Sequence, residues 1–179
     1  MNLSEGRQIS LATADDALAV VRVGLGWRAA RTGLLGRFTG RDLEMRAFAL
    51  LFSGRQFADV VFPQNQLSLD GSVGHTSGYG RGDDDTFAVG LTAVPGRVDR
   101  IVLSKNSFTG RTFEAVRDVS RRAHDDATGQ ELGQFTCLGA GEHTALVMAK
   151  MHRTGDGEWR MSAIGRPASG QTFRSYSPP

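Results

Sequence analysis

From Leu18 to Trp27 the chain reads LAVVRVGLGW, and Ala19, Val21, Val23, Leu25 and Trp27 fall at every second position, with Arg22, Gly24 and Gly26 between them. A period of two sends successive side chains to opposite faces of an extended strand, so one face of this stretch is apolar and suited to a core. Similar runs recur along the chain. Ile9 and Leu11 alternate with small residues, and Leu43 to Phe52 begins alternating and ends as a continuous apolar run before Gly54. Phe57 to Phe62 is stopped by Pro63, which has no N–H for a ladder. Thr86 to Leu91, Ile101 to Leu103, Leu132 to Cys137, Thr144 to Met151 and Trp159 to Ile164 complete the set. Thr128-Gly129 and Asp156-Gly157 place glycine where a hairpin turn wants positive φ. Roughly nine short strands with turn signals between them predict an all-β domain, an antiparallel sandwich or barrel, rather than βαβ units. Short helical segments are expected at two places. Ala93 to Val98 reads as a tight turn or single helical turn, and Phe113 to Ala123 has Phe113, Val116, Val119 and Ala123 at helical spacing, with a strand from Val119 as the alternative.

The chain of 179 residues is long enough for one domain with a core of its own. With 21 Lys+Arg against 19 Asp+Glu the charge is too balanced to suggest nucleic acid as a partner. No apolar run reaches the ~18 residues of a membrane helix, and MNLSEGRQIS has no signal-peptide core, so a cytoplasmic location is expected. The single Cys137 allows no disulfide within the chain and reads as a small buried hydrophobe. From Arg166 onward the chain (166–179) is polar and reads as a loosely held tail after one domain over 1–165.

Signatures of catalysis are missing: there is no G-x-S-x-G elbow, no Walker loop and no H-E-x-x-H. His75, His124, His143 and His152 lie far apart, and none has a partner at zinc spacing. The densest chemistry is in Asn65 to Asp85, NQLSLDGSVGHTSGYGRGDDD, where five glycines surround Asp70 and the run Asp83-Asp84-Asp85. Three successive carboxylates repel one another unless they spread into water or gather round a cation. Spacing alone reads first as a solvated acidic turn, because the EF-hand pattern is absent. Asp42 and Glu44, at i and i+2, add two acids on one face.

Seven pieces occur in one order: VGLGW (Val23 to Trp27), DLEMRA (Asp42 to Ala47), DGSVGHT (Asp70 to Thr76), GDDD (Gly82 to Asp85), LTAVP (Leu91 to Pro95), TGQEL (Thr128 to Leu132) and GEWRMSAIG (Gly157 to Gly165). In this order they resemble the TerD family of tellurium-resistance and stress proteins, over nearly the whole chain. The resemblance implies a sandwich of two antiparallel sheets in a cytoplasmic, non-enzymatic protein that binds calcium. It also implies a role in tellurite and other chemical stress, and the partners expected are proteins of a stress-response complex, free or membrane-associated. Residue by residue, the family's metal acids and amide fall on Asp42, Glu44, Asn65, Asp70, Asp83, Asp84 and Asp85. Departures from the family pattern are Arg28 for an acid after GLGW, Arg46 for a serine, His143 for a glutamate, and a shortened loop with Gly78-Tyr79-Gly80. Each removes an oxygen or adds a cation near the implied site, which disfavours calcium by repulsion. The alternative is a metal-free interaction module that meets an anionic ligand or acidic protein through Arg28, Arg41, Arg46 and Arg81. A third possibility is calcium-mediated docking to anionic lipid.

Overall fold

The computed structural model describes residues 2–3, 7–11, 19–29, 45–78, 83–110, 112–137 and 141–168. Among them the strands are β1 (Asn2–Leu3), β2 (Gln8–Ser10), β3 (Val20–Ala29), β4 (Met45–Ser53), β5 (Gln56–Val61), β6 (Val73–Ser77), β7 (Asp85–Gly90), β8 (Arg100–Ser107), β9 (Val116–Asp125), β10 (Glu131–Cys137), β11 (Ala145–Arg153) and β12 (Trp159–Ala168). One 3-10 turn, Phe113–Ala115, precedes β9. The strands form two sheets of six, in the orders β1-β10-β9-β3-β7-β6 and β2-β12-β11-β8-β4-β5. Every described ladder is antiparallel except the two-residue β1, which lies parallel to β10 at one edge.

Alternation builds the core. Val21, Val23 and Leu25 of β3, Phe87 and Val89 of β7 and Val119 and Ala123 of β9 fill one wall. Ala47, Ala49 and Leu51 of β4, Ile101 and Leu103 of β8 and Met161 and Ala163 of β12 fill the other. Two sheets that each bury one face against the other make a sandwich, the architecture the resemblance implied. The second sheet also carries apolar residues on its other face, where Phe48, Leu50, Phe52, Val60, Val102 and Val147 form a separate buried cluster. This explains why Leu43 to Phe52 loses its alternation toward its end.

The helix considered over Phe113 to Ala123 does not form. After the 3-10 turn the chain is extended from Val116, and β9 pairs with both β3 and β10. Ladder bonds on two sides, with Val119, Arg121 and Ala123 at period two, override the helical spacing. The glycine-rich stretch is not all loop, since Val73–Ser77 is strand β6 and Asp85 begins β7. Glycines at 71, 74 and 78 obscure a period-two pair, Val73 and His75, that points into the core. Strand β3 runs on beyond Trp27, through Arg28 to Ala29. Gly129 (φ 71°) and Gly157 (φ 90°) take the expected left-handed turn positions. β12 continues to Ala168, paired with Ala145, so residues 166–168 belong to the sheet.

Candidate functional site

The two sheets are joined at one end by ionisable residues. Asp85 opens β7 with the same orientation as Phe87 and Val89, so its carboxylate enters the space between the sheets. His75 on the neighbouring β6 does the same, and its Nε2 lies 2.8 Å from Asp85 Oδ1, with the ring 5.2 Å from that of Phe87. Lys105 comes from the opposite sheet. It follows Ile101 and Leu103 at period two on β8, and its Nζ lies 3.2 Å from Asp85 Oδ2 and 3.5 Å from Asp84 Oδ2. Both the His75 and Lys105 side chains have 0% relative exposure, and Asp85 has 9%. Burial works to raise the Asp85 carboxyl, but the His75 hydrogen bond and the Lys105 charge outweigh it and hold the group below its ordinary value.

Asp84 and Asp83 turn elsewhere. The Asp84 N–H donates to the Leu25 carbonyl (3.0 Å), and its Oδ2 accepts the Trp27 N–H (3.0 Å), which ties the loop exit to β3. Its side chain is 48% exposed. Asp83 accepts the Arg122 guanidinium at its Oδ1, from Nη2 at 2.7 Å and Nε at 3.2 Å. That carboxylate lies against the backbone of Gly24, where a Cβ would stand 2.2 Å from Asp83 Oδ2. Each acid of the run therefore meets a different basic surrounding: Arg122 for Asp83, Lys105 and a backbone N–H for Asp84, His75 and Lys105 for Asp85.

The other sequence candidates are placed apart. Asp70 sits in the turn before β6, where its Oδ1 accepts the Ser68 hydroxyl and the Ser72 N–H, both at 2.8 Å. Asp85 lies at the opposite end of β6, because Ser77 pairs with Asp85 while Val73 pairs with Val89. The strand between them spans about 13 Å. Asn65 donates its amide to the Val60 carbonyl at 2.6 Å and exchanges backbone hydrogen bonds with Phe62. Asp42, Glu44, Arg41 and Arg81 lie outside the described residues. Calcium wants six to eight oxygens around one point. The described donors do not fit that shell: Asp70 is at the wrong end of β6, and Lys105 and Arg122 occupy the carboxylates of the aspartate run. Among the described residues no three of His, Cys, Asp and Glu converge as a metal cluster.

Lys105, Arg122 and His75 as partners of the acids went unrecognised in the sequence, although Lys105 left a signal. The chain has only two lysines, Lys105 and Lys150, beside 19 arginines, and Lys105 takes a core-facing position directly after Ile101 and Leu103. A second basic residue crosses the sandwich in the opposite sense. Arg121 is 1% exposed, lies over the Phe135 ring, and donates from Nη2 to the Ile164 carbonyl of the other sheet at 3.0 Å.

Fold and site together define an all-β protein of two six-stranded sheets, closed at one end by ion pairs that run between them. Residues 1–173 match the TerD domain, and the chain belongs to the TerD family. It is 31% identical to tellurium resistance protein TerZ of Serratia marcescens over 97% of this chain and 93% of that protein. Tellurium resistance protein TerD of an Alcaligenes species is 32% identical over 92% of this chain and 89% of its own. Stress response protein SCP2 of Bacillus subtilis (strain 168) is 28% identical over 92% and 91%. In shape the chain is similar to the crystal structure of a homologue of telluride resistance protein TerD from Streptomyces coelicolor A3(2), with a TM-score of 0.63 over 90% of this chain and all (100%) of that one. At 16% identity that likeness concerns the fold alone.

Proposed function

We propose that this TerD-family protein serves the cytoplasmic response to tellurite and other chemical stress by binding a protein partner, without turnover and without a resident metal. The observation that carries it is the pairing of Asp83, Asp84 and Asp85 with Arg122, Lys105 and His75, which takes the acids of the run into the structure of the sandwich. The His75–Asp85 pair has the composition of a general base, but a buried imidazole packed on Phe87, with Lys105 on the far side of its carboxylate, suits a structural role. Support for the stress role comes from relatives named for tellurium resistance and stress response. The partner is an acidic protein surface met through arginines at this end, of which Arg28 is exposed. Arg46 lies at the same end with its guanidinium 4.2 Å from the centre of the Phe108 ring. Capture of partners from a lysate of the source cell should fall when Arg28 is replaced by glutamate; unchanged capture would count against this surface.

Calcium at the same end is the second reading, favoured by Asp84, whose carboxylate is 48% exposed, and by the family resemblance of the aspartate run. An ion that binds only the native state must raise its stability. The melting temperature of the EDTA-treated protein, measured with and without millimolar calcium, separates the two: no shift supports the metal-free form, and a rise of several degrees supports calcium. Purified protein that reduces tellurite catalytically would sink the non-enzymatic part.

A further inference from the structure

Lys105 is the feature that the family resemblance leaves unexplained. A lysine is rarely buried completely, because removing its ammonium from water is expensive unless acids and hydrogen-bond acceptors replace the solvent. Here the replacement is complete enough to leave the side chain with 0% exposure, and the acids come from the other sheet. Its paired neighbours on its own sheet are Ala47 of β4 and Leu146 of β11, both apolar, so among the described residues the opposing charge comes from across the gap. Its compact head reaches two carboxylates of successive residues, one sealed and one half in water, an arrangement that suits a point charge better than a planar guanidinium.

We infer that Lys105 is a tethered cation: its ammonium group, held between the sheets against Asp84 and Asp85, supplies the positive charge that a bound divalent ion would bring and closes this end of the sandwich without one. Lys105 lies within 3.5 Å of carboxylate oxygens of both Asp84 and Asp85, and His75 meets the remaining oxygen of Asp85. The inference deepens the metal-free reading and rests on it.

The test uses the full-length protein after EDTA treatment. Lys105 and Lys150 are the only lysines, so acetylation with an amine-reactive reagent, read by mass spectrometry, compares a buried amine with a half-buried one in the same molecule. Lys105 should react at least roughly tenfold more slowly than Lys150 in the native state, since labelling requires local opening, and the difference should vanish in denaturant. Lys105→Met should melt roughly 10 °C below the wild type. Calcium at millimolar concentration should restore several degrees to the variant and leave the wild type unmoved, while Lys105→Met/Asp84→Asn should lose that response. Equal acetylation of the two lysines, or a Lys105→Met protein that melts like the wild type, overturns the inference and leaves the metal-free reading intact. A wild-type melting point that rises with calcium while Lys105 stays protected sinks the metal-free reading, and the substitution with it. Should Lys105→Met fail to fold, acetylation of the wild type decides the burial of the amine and the wild-type calcium response decides the rest.

Discussion

Lys105 Nζ and Asp85 Oδ2 lie 3.2 Å apart across the gap between the two sheets, each in a position that the pattern of its strand reserves for a core residue. Breaking a buried pair from one side leaves an uncompensated charge and typically costs about 3–5 kcal/mol, whereas removing both partners is much milder. Lys105→Met and Asp85→Asn should each destabilise by that order, and the double variant by clearly less than their sum. Chemical denaturation of the four proteins gives the coupling; additive losses would mean that the two groups do not interact.

Gly24 is required by a neighbour rather than by its own backbone. A methyl group there would stand 2.2 Å from the Asp83 carboxylate, which is only 5% exposed and held by Arg122. Gly24→Ala should therefore destabilise by about 1–3 kcal/mol. Adding Asp83→Ala should recover part of that loss. A fully stable Gly24→Ala protein would show that the carboxylate moves aside at little cost.

Acid should weaken the closed end. The native Asp85 carboxyl lies below the ordinary value of 3.8, because its His75 and Lys105 contacts outweigh burial, and the contacts of Asp70 with Ser72 and Ser68 likewise outweigh its burial. A depressed native pKa means the unfolded chain binds the proton more readily, so the contribution is present above 3.8 and is lost as pH falls through the native value. Stability measured downward from pH 5 should drop less steeply in Asp85→Asn than in the wild type. Identical slopes would remove Asp85 from the acid response.

His152 acts in a higher window. It lies in one rung of its sheet with Arg100 of β8 and Arg160 of β12, and burial, then the charges of Lys150, Arg160 and Arg100, hold its pKa below 6.5. The unfolded chain takes up the proton first, so stability declines as pH falls from 6.5 toward the native value. His152→Gln should flatten the stability profile between about pH 7 and 5; an unchanged profile would show that this imidazole is not responsible.

Along the chain, alternation settles much of what the protein is. The runs Val21-Val23-Leu25, Phe87-Val89 and Ile101-Leu103 each have one period and one apolar face, and a chain made mostly of such runs must close its apolar faces on one another in a sandwich or a barrel; the strand pairing makes it two sheets. The ordered motifs carry the family for the same reason, since they are local. Where a competing signal was present, locality misled. Phe113, Val116 and Val119 have helical spacing, and only the ladders from β3 and β10 on either side of β9 make the chain extended there. The glycines around Val73 and His75 signalled a loop, and pairing with β7 made a strand of it.

The acid-rich stretch divides in the same way. Asp83, Asp84 and Asp85 are conspicuous in the sequence as a charge that needs compensation, which is a matter of adjacency. What compensates them is decided by distance in space: Lys105 lies 20 residues beyond Asp85, and Arg122 a further 17, on strands that the two sheets bring over the run. A run of acids prescribes that a positive charge be near. Whether that charge is a bound ion or the end of a side chain depends on which residue the opposite strand places across the gap, and at that position this chain has Lys105.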